Sequence, residues 1–122
     1  MSKKTVIIGA TTNPSRYAYF AADRLTSAGH EIVPVGIKKG AVFGEEILDI
    51  RQSPKVEAVD TVTMYLGPQN QPEYYDYIIS LNPKRIIFNP GTENPELVKK
   101  AQSAGIDTEY ACTLVMLGSG VY

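Results

Sequence analysis

A chain of 122 residues is long enough to bury a core and too short to hold a catalytic domain beside a cofactor domain. One domain over residues 1–122 with one site is therefore expected. Hydrophobic residues make up 43% and charged residues 20%, and a formal net charge of −1 supplies no global field for nucleic acid or a membrane surface. Any anion site must be built locally. The single cysteine, Cys112, leaves no intrachain disulfide or cysteine-based zinc cluster and suits a reducing, cytoplasmic compartment. The apolar run Val6–Ile8 after Lys3-Lys4 is too short for a signal peptide, and no stretch approaches the ~20 apolar residues that span a bilayer.

Short β-branched runs at Thr5–Ile8, Glu31–Val35, Val59–Tyr65 and Arg85–Phe88 read as strands, and alternation over Asp107–Cys112 suggests a fifth. The first helix is expected to open at Asn13-Pro14, a capping residue followed by proline, and to stop at Gly29, with Tyr17, Phe20, Ala21 and Leu25 on its buried face. A second spans about Pro72–Leu81, with Tyr74, Tyr75, Ile78 and Ile79 as its stripe and Asn82-Pro83 as its end. The third repeats the opening device at Asn94-Pro95 and runs to Gly105. Between them, Lys38–Lys55 is irregular, with a short helix or extra strand at Glu46–Ile50. Parallel strands need crossovers. The alternation thus predicts an α/β fold: a single doubly wound, mainly parallel five-stranded sheet with helices on both faces.

Ligands of such folds sit beyond the carboxyl ends of the strands, at Gly9–Arg16, Gly36–Lys39, Leu66–Asn70, Asn89–Thr92 and from Cys112 onward. Superposed on the dinucleotide fingerprint G-x-G-x-x-G, the first turn keeps only Gly9, because Thr11 and Pro14 occupy the second and third glycine places. The second glycine lets a pyrophosphate lie on bare backbone, whereas Thr11 interposes a Cβ and offers a hydroxyl. A phosphate would then meet Thr11, Thr12, the amides near Asn13, the helix dipole and Arg16. The same residues suit a simple helix cap equally well. After the second strand an NAD site wants an acid, but Gly36-Ile37-Lys38-Lys39 follows. Two lysines suit a ribose bearing its own phosphate, as in NADP or coenzyme A, or else a solvated loop.

These residues resemble the small stand-alone CoA-binding proteins, whose Rossmann-like domain is shared with the nucleotide-binding part of the succinyl-CoA synthetase alpha subunit. The likeness rests on G-A-T-T-N-P-S-R at Gly9–Arg16, G-H-E-I-V-P-V at Gly29–Val35 and F-G-E-E-I at Phe43–Ile47. It extends to V-D-T-V at Val59–Val62, the Asn89-Pro90-Gly91 turn, and Cys112 ending the fifth strand. It implies a Rossmann-like domain that binds coenzyme A or an acyl-CoA. By position, Gly9, Ala10, Thr11, Asn13 and Arg16 would cradle the pyrophosphate, and Lys38 would face the phosphorylated adenosine end. Leu66 and Pro68 would line the cleft, with Asn89 and Gly91 at its mouth. The chain departs from the family where Gly36-Ile37 replaces Asn-Pro and where Thr113–Met116 replaces a proline and an acid after Cys112.

No catalytic or metal-ligating set is visible. His30, the sole histidine, follows a helix-ending glycine and reads as a surface residue, so the synthetase's phosphohistidine relay has no counterpart. Cys112 lacks a basic neighbour and reads as buried packing. Neither G-x-S-x-G nor G-x-x-x-x-G-K-[ST] occurs. The chain therefore reads as a non-catalytic binder of coenzyme A or an acyl-CoA. The alternatives are an NADP-binding oxidoreductase subunit and a protein-interaction module with a decayed nucleotide site. Leu114–Leu117 with Val121 is too short for a covering helix and too apolar to float. It is expected to pack on a second copy or a partner enzyme, or to fold over the chain's own sheet edge.

Overall fold

The computed structural model describes residues 2–122. Its strands are β1 (Thr5–Ile8), β2 (Ile32–Gly36), β3 (Ala41–Val42), β4 (Glu45–Glu46), β5 (Leu48–Asp49), β6 (Thr61–Met64), β7 (Arg85–Phe88) and β8 (Asp107–Tyr110). The helices are α1 (Tyr17–Ser27), α2 (Tyr75–Ser80), α3 (Pro95–Ser103) and α4 (Thr113–Gly118). The main sheet has six strands in the order β5-β2-β1-β6-β7-β8, all parallel, and β3 and β4 form a separate antiparallel hairpin. The fold is α/β and Rossmann-like, as expected. The sixth strand corrects the count of five: β5 adds two residues beside β2, with Gly36 opposite Asp49, within Glu46–Ile50, where a short helix or extra strand was expected.

Strand alternation sends neighbouring side chains to opposite faces, and the two cores follow from it. Val6 and Ile8 join Val62, Met64, Ile86 and Phe88 beneath Tyr75 and Ile78 of α2 and Leu97 and Ala101 of α3. Ile7 faces the other way and packs under Ala18, Ala21, Ala22 and Leu25 of α1, with Leu114 and Leu117 of α4 beside them. So α1 and α4 cover one face, and α2 and α3 the other. The apolar tail forms a six-residue helix on its own sheet face, correcting both the expectation of no helix and that of an edge cover. Its far end is pinned at the amino ends of the strands. The Tyr122 hydroxyl bonds Thr5 Oγ1, its carbonyl accepts from Lys3 Nζ, and its ring lies 4.5 Å from the Arg85 guanidinium and 4.9 Å from the His30 ring. His30 is half-buried, with Nδ1 accepting from Lys3 N, so it is structural packing rather than a bare surface residue.

Helix ends show where local chemistry decides. Asn94 caps α3 through Oδ1, which accepts from Glu96 N and Leu97 N, and its Nδ2 donates to Gln71 Oε1 and Tyr75 Oη. Replacing a capping Asn by Ala costs about 0.5–2 kcal/mol, and Asn94→Ala is expected to reach the top of that range in chemical denaturation because Gln71 Oε1 and Tyr75 Oη lose their donor as well. Asn13 behaves differently. Its Oδ1 accepts from Ser15 N and Ser15 Oγ, a turn closes from Arg16 N to Asn13 O, and α1 begins only at Tyr17 with Arg16 as cap. The second predicted helix splits into a 3₁₀ turn, Pro72–Tyr74, followed by α2; Tyr75 is buried and Tyr74 only half-buried.

No helix crosses over from β5 to β6. An extended strap over residues 53–60 does so, with Ser53 (φ 47°) and Ala58 (φ 56°) in left-handed conformation. The Tyr77 hydroxyl donates to Pro54 O at 2.7 Å and so ties the strap to α2. Burial pushes the Tyr77 phenol up to about 12 from an ordinary value of 10.0. Its folded pKa thus exceeds its unfolded one, so the unfolded state loses its proton first and stability should fall between about pH 10 and 12. Thermal melts across that window should show the decline, and Tyr77→Phe should make it shallower.

Candidate functional site

The chain passes from β1 outward through β2 to β5, then returns to place β6 on the other side of β1. The strand order therefore reverses between β1 and β6, and a crevice opens beyond their carboxyl ends. Gly9 leaves β1 with φ +97°, and a Cβ there would stand 2.9 Å from both C and O of Tyr65. Gly36 leaves β2 equally tightly: a Cβ would lie 2.9 Å from Ala10 O. The amides of Gly9 and Ala10 both donate to Val35 O, at 2.9 and 3.1 Å, and Tyr65 N donates to Ile8 O at 2.8 Å. Four of the predicted residues, Gly9, Ala10, Gly36 and Leu66, thus meet where three strand ends converge.

The turn that follows is exposed. Thr12, Asn13 and Arg16 face solvent and Thr11 is half-buried. Asn13 N is spent on Thr11 Oγ1 at 3.1 Å, and Ser15 N and Arg16 N are spent within the turn, so the amides nearest Asn13 are not the available donors. Among the described residues, no protein acceptor engages the N–H groups of Thr12, Tyr17 or Ala18. These amides, the Thr11 and Thr12 hydroxyls and the Arg16 guanidinium surround the start of α1, where the helix dipole also favours an anion. The loop after β2 closes over the same spot, since a Cβ on Gly40 (φ +134°) would stand 2.7 Å from Thr12 Cγ2. Lys38 is exposed on that loop.

On the other flank, Leu66, Gly67 and Pro68 form a half-buried rim before the 3₁₀ turn Pro68–Asn70. Asn89 lies beneath it, 2% exposed. Its Nδ2 donates to Thr63 Oγ1 at 2.7 Å and to Met64 O at 2.8 Å, while Oδ1 accepts from Thr113 N at 2.8 Å. With that amide fully engaged, Asn89 acts as a tie between β6, β7 and α4. Gly91 (φ +92°) is exposed on the rim, and its N–H donates to Glu93 Oε1 at 2.9 Å. Cys112 is half-buried and precedes α4, a looser setting than the buried packing expected.

Sequence reasoning missed Gln71. It is fully buried, with Nε2 donating to Leu66 O and Thr92 O at 2.8 and 3.0 Å and Oε1 accepting from Asn94. It locks the β6 and β7 loops together under the crevice, and nothing in its neighbours' pattern distinguishes it from a surface glutamine. Gln71→Leu orphans Leu66 O and Thr92 O, while Asn94 Nδ2 keeps Tyr75 Oη; at about 1–3 kcal/mol per buried orphan, with Leu66 only half-buried, a loss of roughly 2–4 kcal/mol is expected in denaturant titration. A cavity of 1380 Å³ lies elsewhere, between the strap over residues 53–60 and α2, and reaches Lys4, Arg51 and Lys84. None of the predicted site residues lines it. A large hollow is the usual first guess for a ligand site, but here it lies mainly toward the amino ends of the strands, away from the glycine turns and open amides.

A model of the CoA binding domain matches residues 3–118. The chain belongs to that family. For a CoA-binding domain, a CoA-type nucleotide is the ligand class that membership supports. The crystal structure of an uncharacterized protein is 55% identical and superposes with a TM-score of 0.96, covering 100% of this chain and 99% of that one. A hypothetical protein from Pyrococcus horikoshii OT3 is 27% identical with a TM-score of 0.83, covering 97% and 83% of the two chains. A cell-free-produced protein from Thermus thermophilus, 24% identical with a TM-score of 0.85 over 99% and 91%, shares the fold. No curated protein matches the chain. No helix among the described residues of this CoA-binding domain is long and apolar enough to cross a membrane.

Proposed function

We propose that this CoA-binding domain holds coenzyme A or an acyl-CoA with its diphosphate at the start of α1, as a carrier, sensor or partner subunit without chemistry of its own. The observation that carries the reading is the set of open donors there: the amides of Thr12, Tyr17 and Ala18, two threonine hydroxyls and Arg16. Gly9, Ala10 and Gly36 bring the backbone close enough for the ligand to lie across three strand ends. Leu66 and Pro68 border it on the far side, Gly91 stands at the rim, and Asn89 supports the rim from below. Lys38 faces the adenosine end.

The reading commits to hydroxyl and amide contacts in place of bare glycine backbone. Charge-assisted hydrogen bonds contribute about 1.5–3 kcal/mol each, so Arg16→Gln should weaken CoA about tenfold or more. Isothermal titration of the wild-type chain with CoA, NADPH and NADH is the test. CoA binding with neither dinucleotide bound supports the reading. Tighter binding of NADPH moves the chain to the oxidoreductase-subunit alternative, and absence of any binding leaves an interaction module.

A further inference from the structure

Strand β8 ends the main sheet and pairs only with β7, so its outer edge is free. Asp107 N donates to Lys84 O at 3.1 Å and Ala111 N to Phe88 O at 3.2 Å. Backbone groups alternate in direction along a strand, so Asp107, Glu109 and Ala111 turn theirs toward β7, whereas Thr108, Tyr110 and Cys112 turn theirs outward. Among the described residues, the backbone N–H and C=O of Thr108 and Tyr110 and the N–H of Cys112 meet no protein partner. Cys112 is still extended (φ −110°, ψ 115°), so the open edge reaches the start of α4. Such an edge is a template for another strand.

The side chains decide which strand fits. Tyr110 stands in the middle of the edge, 55% exposed, with its ring edge-on to Phe88 at 5.7 Å, which places it on the α3 face of the sheet. On that face Gln102 Nε2 donates to Thr108 Oγ1 at 3.3 Å, so the Gln102 flank of α3 borders the edge, and Val98, one turn earlier, shares that flank. The charged residues Glu96, Lys99 and Lys100 line the opposite flank, against α2. The surface around Tyr110 is thus aromatic and uncharged, as the centre of an interface is. Asp107 and Glu109 lie on the other face of the sheet, with Glu109 held 3.3 Å from Arg85.

We infer that this edge is the interface of a twofold dimer, in which β8 pairs antiparallel with β8 of a second copy about an axis at Tyr110. Charge selects the register. A twofold at Glu109 would set the two Glu109 side chains directly opposite each other, and one at Thr108 would set Asp107 opposite Glu109; like charges so placed repel. A twofold at Tyr110 sets Glu109 opposite Ala111 and leaves Asp107 beyond the paired segment. The Tyr110 N–H and C=O then exchange bonds with their equivalents, and Cys112 N donates to Thr108 O of the other copy. Both tyrosine rings meet at the axis, bordered by Val98 and Gln102. Each sheet extends away from the axis, so its six strands continue into those of the other copy, and the crevice beyond β1 and β6 stays open. The dimer does not depend on the CoA reading.

Sedimentation velocity of wild type and Tyr110→Lys from micromolar to millimolar concentration tests it, together with hydrogen exchange followed amide by amide on the wild type. Wild type should dimerise. Tyr110→Lys sets two lysines across the axis and should weaken the dimer about tenfold or more; its site is exposed, so the variant should fold. With rising concentration the wild-type Tyr110 and Cys112 amides should gain protection, while those of Glu109 and Ala111 stay protected throughout by β7. A dimer that survives Tyr110→Lys, or that forms with the Tyr110 and Cys112 amides unprotected, uses another surface and overturns the inference. A wild type that stays monomeric over the whole range leaves the edge to a different chain or to solvent, and overturns it as well. Either outcome leaves the CoA reading untouched.

Discussion

Gly9→Ala should destabilise the free protein by roughly 2–4 kcal/mol. Gly9 sits at φ +97°, a conformation that strains a side-chain-bearing residue, and the added Cβ would meet Tyr65 C and O at 2.9 Å and Leu66 N at 3.1 Å. All three are backbone atoms of the neighbouring strand end, so none can swing aside. Relief requires β1 and β6 to part at the crevice, which also displaces Ala10, Thr11 and Thr12. Binding of CoA should therefore fail together with stability. Gly44→Ala is the control. Gly44 has φ +85° but nothing within 4 Å of where the new methyl would stand, so it should cost only about 1 kcal/mol of backbone strain and leave binding unchanged. Equal melting temperatures for the two variants would contradict the close approach at Gly9.

Asn89→Leu should cost roughly 2–5 kcal/mol, because it strands Met64 O and Thr113 N in the interior, at about 1–3 kcal/mol for each unsatisfied group. Thr63 Oγ1 keeps one partner, Thr113 Oγ1 at 2.8 Å, so the loss is not complete. The consequence reaches further than one strand. Thr113 is the first residue of α4, and Asn89 Oδ1 holds its amide, so α4 should loosen from its amino end. Hydrogen exchange should then show faster exchange through Thr113–Gly118 while α3 stays protected. Unchanged protection in α4 would mean that its apolar contacts and the Tyr122 anchor suffice without Asn89.

How much of this was readable in the sequence depended on whether the signal was local. The parallel sheet was, because Thr5–Ile8, Glu31–Val35, Val59–Tyr65 and Arg85–Phe88 are β-branched runs separated by helical patterns. Asn94-Pro95 and Asn13-Pro14 show the limit. The same dipeptide caps α3 directly, but at the first turn the Asn13 side chain closes on Ser15 and the helix starts three residues after Pro14. Nothing in the pair itself distinguishes them; the difference lies in the chain's need to turn at the convergence of three strands. Strand β5 was legible only as a short helix or extra strand at Glu46–Ile50, because two residues carry no periodicity, and it exists only through its pairing with Val35 and Gly36. Helix α4 was hidden because six residues are too few to form a helix in isolation, and packing on α1 together with the Tyr122 anchor supplies what the segment lacks. The glycines of the candidate site were legible. Gln71 was not, since its partners Thr92 and Asn94 are distant in sequence.

The open donors at the start of α1 are held to grip the diphosphate of a CoA-type nucleotide, and on that grip the rest depends. Amide chemical-shift mapping of the labelled protein on titration with CoA tests it most directly, because it reports position as well as binding. The Thr12, Tyr17 and Ala18 amides should move most, with smaller changes at Gly36 and Leu66. Saturable shifts confined to the strap and α2 around the 1380 Å³ cavity, with the start of α1 unmoved, would contradict it.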